Sequence, residues 1–467
     1  MSAALAVPVV VALLLVLLLL RLPVWLSLAV SGAAGLFLLR GESFVTNTLA
    51  AVAYEQTSSF TLTIIPMFIL LGVFAVKAKI AEQVFAIARR IFRETPGGIG
   101  IATVAACAGF AAVSGSTIGT TATMAKLSVE EMRRSGYSQS LAGALVAVAG
   151  TIGAMIPPSL FLVLYAILTM EPIGEMLVAG IIPGVLSAVA FAVYVLIRTR
   201  KMPALAETPA RPGALVGASA GSGASGAGLD DALGTAIADA REAGDRTRLP
   251  WRGLVRLVII FAIIMGGIYL GFFTPTESAA IGALAALIML VLEFRRQGIR
   301  TIVAQFVDAL KETAKTTSMV FAIVFSSALL SLFFVVARVP QSIGDFVGGL
   351  DVPPWLVVAI LLAFLLPLGM ALESISILVI TVPLIYPVAT ELGFDGIWLG
   401  VMIVKLIEIG MVTPPVGINC FVVAGTARIP TAEVFKGVWP FVVVELVLLA
   451  ILFVFPQLAT WLPSFVQ

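Results

Sequence analysis

The sequence predicts an all-α polytopic membrane protein built from two inverted-topology repeats, on the basis of its composition and its internal repetition. Of its 467 residues, 60% are hydrophobic and 12% charged, whereas soluble domains average roughly 45–50% apolar and about 25% charged residues. Residues 109–183 recur without a gap at 366–440, an offset of 257 positions, and the matched residues are mostly Gly and Pro. A uniform membrane helix has little reason to repeat helix-breaking residues. We therefore expect the chain to contain one folded unit twice.

About ten spans and two re-entrant hairpins are predicted, because apolar runs of membrane-spanning length cover most of the chain. A secretory signal requires a positively charged leading region, but no basic residue precedes residues 3–20. These residues are therefore expected to be a retained first span. The predicted spans are 3–20, 22–39, 57–76, an interrupted helix at 139–168, 175–197, 253–272, 277–293, 313–336, a second interrupted helix at 397–426, and 438–460. The predicted hairpins are 98–131, with its tip at 114–117, and 353–388, turning near 369–374.

The positions of the basic residues support the hairpins and predict the orientation. If 98–131 turns back within the membrane, Arg89 and Arg133 lie on the same side, together with most other Lys and Arg residues. Cytoplasmic loops collect Lys and Arg, so this side is the cytoplasm and the N-terminus is outside. Each half has five spans, an odd number, so the second repeat is expected to have the opposite orientation to the first.

The repeats predict a division into 1–200, a linker at 201–250, and 251–467. Residues 213–228 are almost entirely Gly, Ala and Ser, a composition that behaves as flexible coil, so a flexible cytoplasmic linker is expected. Leu229, Leu233 and Ile237 are spaced four apart, which leaves a short amphipathic helix as an alternative within the linker.

The interrupted helices contain the motifs GAMIPP at 153–158 and GMVTPP at 410–415. Proline removes a backbone donor and clashes with the preceding turn, so each Pro-Pro pair is expected to free several carbonyl groups. Irregular backbone at membrane depth is tolerated only if it is buried in protein or lines a wet cavity. Free carbonyls with Ser and Thr hydroxyls suit a small hard cation, and the following half-helix N-termini attract an anion, as in secondary transporters. A single Pro-Pro could be a simple kink, but two copies at one offset favour a site.

Ionisable residues inside membrane segments give a second signal, because such residues are expensive and usually functional. Glu373 lies at the second tip, and Lys405 and Glu408 precede the second break at helical spacing. A mutually neutralised structural pair is the alternative for the last two. Glu445 and Glu277 are expected to be structural or interfacial.

The residues that are absent narrow the possible chemistry. The chain has no His, so a proton relay would need carboxylates alone and a His-ligated metal site is excluded. Its two cysteines lie in apolar segments and form no disulfide framework. Its basic residues cluster at span ends, which gives no indication of nucleic-acid binding.

Four segments resemble the signatures of the large membrane subunit (DctM type) of TRAP transporters, the tripartite ATP-independent periplasmic family. They are 112–116 (AVSGS), 153–159 (GAMIPPS), 273–277 (FTPTE) and 410–417 (GMVTPPVG). The resemblance implies a multi-pass protein of the bacterial inner membrane that acts as an elevator-type, sodium-coupled importer, mostly of organic acids. It also implies a small membrane subunit (DctQ type) and a periplasmic substrate-binding protein (DctP type). Since no four-span segment precedes residue 3, the small subunit is expected to be a separate chain.

The resemblance also implies site residues. The first Na⁺ site would use Ser114 with the carbonyls of Gly153, Ile156 and Pro158. The second would use Glu373, where the family usually has Asp, with Gly410, Thr413 and Pro415. Substrate contacts are expected from Ser116, Thr117, Ser374, Lys405 and Glu408.

The sequence thus predicts a sodium-coupled secondary transporter in contact with membrane lipid, importing an organic acid. The hairpins and interrupted helices would form a mobile transport domain, and the other spans a scaffold. A proton-coupled organic anion carrier of the same broad fold, using Glu373 or Glu408, is the closest alternative. An intramembrane enzyme is disfavoured, because no span contains paired Asp residues and the chain has no His.

Overall fold

A computed structural model of the chain describes residues 3–20, 22–200, 251–339, 341–342 and 352–465. The predicted linker at 201–250 lies outside the described residues. The division into 1–200, 201–250 and 251–467 remains a prediction.

The described part of the first half is almost entirely helical, and Gly or Pro residues separate many of its helices. Pro23 precedes the second helix, and Gly97, with a φ of 69°, precedes the sixth. In chain order the helices are α1 (Ala3–Leu19), α2 (Val24–Arg40), α3 (Glu42–Ser58), α4 (Ile64–Lys77), α5 (Ile80–Ile91), α6 (Gly98–Ser114), α7 (Thr117–Arg134), α8 (Gln139–Ala149), α9 (Leu160–Thr169), α10 (Ile173–Ala179) and α11 (Ile181–Thr199).

The second half repeats this pattern with fewer interruptions. Its first helix contains a π-helical turn at Ala262–Gly266. The helices are α12 (Trp251–Tyr269), α13 (Pro275–Phe294), α14 (Ile299–Val336), α15 (Pro354–Ala371), α16 (Ser374–Glu391), α17 (Gly396–Val412), α18 (Ile418–Ala427), α19 (Thr431–Val454) and α20 (Gln457–Thr460).

The prediction of an all-α membrane protein is confirmed. Seven described helical stretches are long and apolar enough to cross a membrane. Other apolar helices are shorter, among them α6, α8, α9, α15 and α18. The count of about ten spans, the re-entrant course of the hairpins and the opposite orientation of the halves therefore remain predictions.

Helix positions in the two halves agree with the offset of 257 residues. Helices α7 and α16 begin 257 positions apart, as do α8 and α17, and α6 and α15 end 257 positions apart. The pair α6–α7 is hereafter the first hairpin, and α15–α16 the second. The first broken helix is α8, a 3₁₀ turn at Gly150–Ala154, and α9, and the second is α17 with α18.

Several boundaries differ from the sequence-based prediction. Helices α3 and α5 were not predicted, because neither has an apolar run of spanning length. The span predicted at 313–336 begins at Ile299 instead, since its first turns are amphipathic and continue directly into the apolar part. The span predicted at 438–460 is α19, which ends at Val454.

The helices pack as two groups. In one, α14 packs along α2 and α4, α13 packs on α4, and α12 packs on α5. In the other, α19 packs along α8, and α17 packs on α15, α16 and α19. The first group contains helices expected to form a scaffold, and the second contains both hairpins and both broken helices. Helices α11 and α19, which were also expected in the scaffold, pack instead with the second group, on α6 and α8 respectively. The groups meet where α4 and α5 contact α6 and where α14 contacts α16.

Candidate cation and substrate site

The first tip (114–117) lies directly against the first break (150–159). Gly115 has a φ of 57°, and a Cβ atom there would lie 2.6 Å from the carbonyl oxygen of Pro158. A Cβ atom on Gly153 would lie 3.5 Å from the carbonyl oxygen of Ser116. The left-handed backbone and the close approach both require glycine at 115. The fold therefore brings together the tip and the break that were predicted to form the first cation site.

Backbone oxygens at the first break are free to bind a ligand. The peptide bond between Pro157 and Pro158 is cis. No hydrogen bond from the described residues ends on the carbonyl oxygen of Ile156 or Pro158. Ser159 caps α9 by accepting from the Leu162 amide at 3.3 Å, and its hydroxyl donates to the carbonyl of Ala154. Two of the predicted carbonyl ligands are thus unpaired, and the next helix starts with a formed cap.

Ser114 differs in detail from the expectation. Its hydroxyl lies 2.7 Å from the hydroxyl of Thr120, and its carbonyl oxygen is in close contact with Gly72 of α4. The side chain is thus bonded within the hairpin, and the carbonyl faces the scaffold group.

The second tip (369–374) contacts the second broken helix through glycine. A Cβ atom on Gly410 would lie 2.5 Å from the Cα atom of Gly369, so the two backbones touch. Glu373 is half-buried, immediately precedes α16 at the N-cap position and makes no capping hydrogen bond. The hydroxyls of Ser374 and Ser376 are buried without a hydrogen-bond partner among the described residues. Free oxygens therefore surround the second tip as well.

Sequence reasoning missed two hydroxyl groups here. Ser376 lies two residues beyond Ser374, and Thr121 lies four residues beyond Thr117. The Thr121 hydroxyl is also buried without a partner among the described residues, and it is in close contact with Gly150. Buried polar atoms are rarely unpaired, so these oxygens are candidate ligands. Their positions in the first turns after each tip were the available signal.

The second break (413–417) is more open than the first. Pro415 and Val416 are exposed, and the connection between Pro414 and Pro415 is cis. The Thr413 hydroxyl donates to the carbonyl of Ile409 at 2.5 Å, and the Thr413 amide donates to Gly410 at 3.2 Å. The predicted Gly410 ligand thus has one of its two lone pairs in use. The carbonyls of Thr413 and Pro415 accept no hydrogen bond from the described residues.

The two broken helices also contact each other. The buried amide of Asn419 on α18 donates to the carbonyl of Ala147 on α8 at 3.3 Å, and its own oxygen has no partner among the described residues. The hydroxyl of Thr117 lies 3.9 Å from the sulfur of Met411. The first tip is therefore adjacent to the end of α17, which places the two candidate cation regions side by side. Asn419 was not anticipated from the sequence.

A buried ionic cluster lies one to two turns before the second break. The Nζ atom of Lys405 lies 2.7 Å from Glu408 and 2.8 Å from Glu445, and all three side chains are at most 3% exposed. Of the two roles expected of Glu445, structural or interfacial, its burial against Lys405 agrees with the structural one. Lys405 and Glu408, predicted as substrate contacts, are paired with each other and with Glu445. The alternative of a structural pair describes this geometry better, with a third member.

Glu277 has the structural role expected of it. It lies in the first turn of α13 and accepts from the amide of Thr274 at 2.8 Å, while the Thr274 hydroxyl accepts from the amide of Glu277 at 3.3 Å. This reciprocal capping box pairs two amides at the start of the helix.

Hairpin tips that contact broken helices with unpaired backbone carbonyl groups are typical of secondary transport proteins of the broken-helix class. Comparison with known proteins supports this class. The model of the family "Tripartite ATP-independent periplasmic transporter, DctM component" matches residues 11–458. The chain therefore belongs to this family of transporter subunits, and it is not an enzyme.

Individual relatives agree with this family. The chain is 32% identical over 440 residues to the C4-dicarboxylate TRAP transporter large permease protein DctM of Pseudomonas aeruginosa, covering 94% of each chain. It is 30% identical over 449 residues to the ectoine/5-hydroxyectoine TRAP transporter large permease protein UehC of Ruegeria pomeroyi, covering 96% of each. A crystal structure of the Alcanivorax borkumensis YdaH transporter matches with a TM-score of 0.61 at 13% identity, covering 90% of this chain and 88% of that one. This last likeness supports the fold alone.

Proposed function

We propose that this chain is the large membrane subunit of a sodium-coupled secondary transporter that imports an organic acid. The observation that supports this most is that each hairpin tip contacts a broken helix whose break has unpaired carbonyl groups. Gly115 lies against Pro158 in one half, and Gly369 lies against Gly410 in the other. Relatives named for C4-dicarboxylates and for ectoine support a small organic solute as the substrate class.

The donor atoms at both sites fit a sodium ion. Oxygen ligands suit hard cations, and neither site contains Cys or His. At the first site Ser114, Gly153, Ile156 and Pro158 would hold Na⁺, with the orphan hydroxyl of Thr121 close by. At the second, Glu373, Gly410, Thr413 and Pro415 would hold it. A bound Na⁺ supplies positive charge and binding energy that couple solute movement to the sodium gradient.

The substrate would bind between the tips. Helices α7, α9, α16 and α18 all begin at a tip or a break. Their N-terminal amides attract a carboxylate, and Ser116, Thr117 and Ser374 can hydrogen bond to it. Both hairpins and both broken helices belong to one packed group, so we propose that this group moves as a transport domain against the α2–α4–α13–α14 scaffold.

The proposed assembly includes two partners. A small membrane subunit of the DctQ type and a periplasmic substrate-binding protein of the DctP type would complete the transporter, in contact with membrane lipid in the bacterial inner membrane. Reconstituting the chain with and without both partners tests this, with uptake of candidate organic acids as the readout. Strong uptake by this chain alone would refute the tripartite assembly.

One observation favours the proton-coupled alternative. The Lys405–Glu408–Glu445 cluster has one more carboxylate than ammonium group, and a buried excess negative charge needs compensation. The two couplings separate in one experiment with proteoliposomes that contain all three proteins. Sodium coupling predicts that uptake collapses when choline replaces Na⁺ at fixed pH. Undiminished uptake driven by a pH gradient without Na⁺ would establish the proton-coupled function instead.

A further inference from the structure

A small cavity lies between the scaffold group and the first tip. Its volume is about 130 Å³, and its walls come from α4, from α14 and from the first hairpin. The lining includes Phe68, Gly72, Ser116, Gly119, Glu312 and Thr316. Glu312 is the single charged residue among the residues that line it. The cavity thus places one carboxylate opposite the tip that is expected to bind the first cation.

Glu312 is free to attract a mobile cation. It is exposed, and it makes no ion pair with any described residue. The charged residues nearest to it along α14 are Asp308, Lys311 and Lys315. Helical spacing puts Thr316 of the cavity wall on the same face of α14 as Glu312, since the two are four residues apart.

The repeat supplies a second carboxylate at the equivalent position. Glu55 precedes Glu312 by 257 residues. The two halves also agree locally, because α3 begins at Glu42 and α14 begins at Ile299, again 257 positions apart. Glu55 lies in the last turn of α3, shortly before α4, whereas Glu312 lies within the continuous helix α14. Glu55 is likewise exposed and makes no ion pair with any described residue.

We propose that Glu312 and Glu55 are a pair of cation-capture sites, one at each mouth of the transport path, that concentrate Na⁺ before it reaches the tips. The inference rests on the proposed sodium coupling. The predicted topology puts Glu312 on the cytoplasmic side, since Arg295 and Arg300 precede it, and puts Glu55 outside. Glu312 lines a cleft with low-dielectric walls, where a carboxylate raises the local concentration of cations. Glu55 is assigned the same effect on the opposite side from its equivalent position in the repeat.

Side-specific sodium titrations test the pair. Glu55→Gln and Glu312→Gln are studied in right-side-out vesicles that contain both partner proteins. In one titration, uptake is measured while the external Na⁺ concentration is varied. In the other, the inhibition of uptake is measured while the internal Na⁺ concentration is varied. Glu55→Gln is expected to raise the external half-saturating Na⁺ concentration by about threefold to tenfold and leave the internal one unchanged. Glu312→Gln is expected to do the reverse. Each variant is therefore the control for the other.

Further controls separate this inference from the proposed function. Asp308→Asn removes a charge one turn earlier on α14, from a residue that lines a different groove, and is expected to shift neither titration. Both shifts should shrink as choline chloride rises, because added salt screens exposed charges. Unchanged titrations in both variants, or shifts on the same side, would overturn the pair. If uptake by the unmodified protein did not depend on the Na⁺ concentration, the sodium coupling itself would be overturned.

Discussion

The two breaks have similar motifs but differ in how firmly their backbone is held. At the first break, residues 150–155 and 157–159 are buried, and a serine caps the next helix. At the second, Pro415 and Val416 are exposed, and α18 begins after Gly417 in the left-handed region, without a side-chain cap. The first group of carbonyls is thus positioned by its surroundings, whereas the second has fewer neighbours. We expect the first cation site to be largely preformed and the second to gain order when its ligand binds.

The two broken helices also differ in charge. The buried cluster of Lys405, Glu408 and Glu445 has its repeat counterparts at Val148, Thr151 and Ala188. In the second half, α17 and α19 are therefore joined by ion pairs between side chains. The equivalent positions of the first half have small or apolar residues. Breaking a buried ionic cluster is more destabilising than replacing all of it.

The largest effect is expected from breaking that cluster. Lys405→Val leaves two buried carboxylates without a cation and should lower the free energy of unfolding by about 3–5 kcal/mol. The triple variant Lys405→Val, Glu408→Thr, Glu445→Ala installs the residues of the first half and should recover most of this loss. Denaturant unfolding of the purified proteins measures both. A triple variant as unstable as the single one would show that the carboxylates have a further partner.

A smaller effect is expected from exchanging the residues at the two tips. Gly115 corresponds to Leu372, which is in an extended conformation with a φ of −115°. Gly115→Leu should destabilise the protein by about 1–3 kcal/mol and abolish uptake, because the left-handed backbone is strained for Leu and its Cβ meets the Pro158 carbonyl.

Leu372→Gly is the matched control for this exchange. It places no new atom against the backbone and should leave measurable uptake. Thermal unfolding and uptake are compared in the two variants. Equal loss in both would mean that the tips have the same backbone constraint, contrary to the structure.

The helix caps should give a difference of about 1 kcal/mol. Ser159→Ala removes the hydroxyl that accepts from the Leu162 amide and should lower stability by about 0.5–2 kcal/mol. Val416→Ala, the same position in the second half, should stay within about 0.5 kcal/mol because the side chain is exposed and caps nothing. Thermal melts of the two variants decide the point. A loss at 416 as large as at 159 would show that the second break is more ordered than the exposure of Val416 indicates.

The smallest perturbation is a chemical probe of access. Cys107 and Cys420 are buried, so they should react slowly with a maleimide reagent and contribute little background labelling. A cysteine introduced by Val416→Cys should react several-fold faster than one introduced by Ser159→Cys. The reaction rates of the two purified variants give the comparison directly, and equal rates would contradict the difference in burial.

Much of this architecture follows from local sequence. Two adjacent prolines remove two backbone donors from one turn, so both breaks, at 157–158 and at 414–415, were predictable to within a few residues. The tips were predictable from glycine and serine between apolar runs. Helices α3 and α5 were missed because neither contains an apolar run of spanning length. The spacing of Ile80, Val84, Ile87 and Ile91, and for α3 the repeat offset, were the available signals.

The contacts between distant segments could not be predicted in the same way. Nothing near Glu445 in the sequence indicates that it meets Lys405, forty residues earlier, and Asn419 reaches α8 across the repeat boundary. Such partners depend on how helices are rotated about their axes. Periodicity gives an apolar face but does not identify the helix that covers it.

The continuous helix α14 sets a geometric limit on its own placement. With 38 residues it is about 57 Å long, nearly twice the roughly 30 Å of a bilayer's hydrocarbon core. A straight rod of that length would need a tilt of about 58° to stay inside, beyond the usual range of about 0–40°. Its first turns must therefore leave the hydrocarbon. In the first half, the extended Ser59 divides the equivalent stretch into α3 and α4, so a bend is possible there and not in α14. The continuous helix α14 is thus rigid, whereas the pair α3–α4 can bend at Ser59. A change in bilayer thickness would therefore deform the two halves unequally.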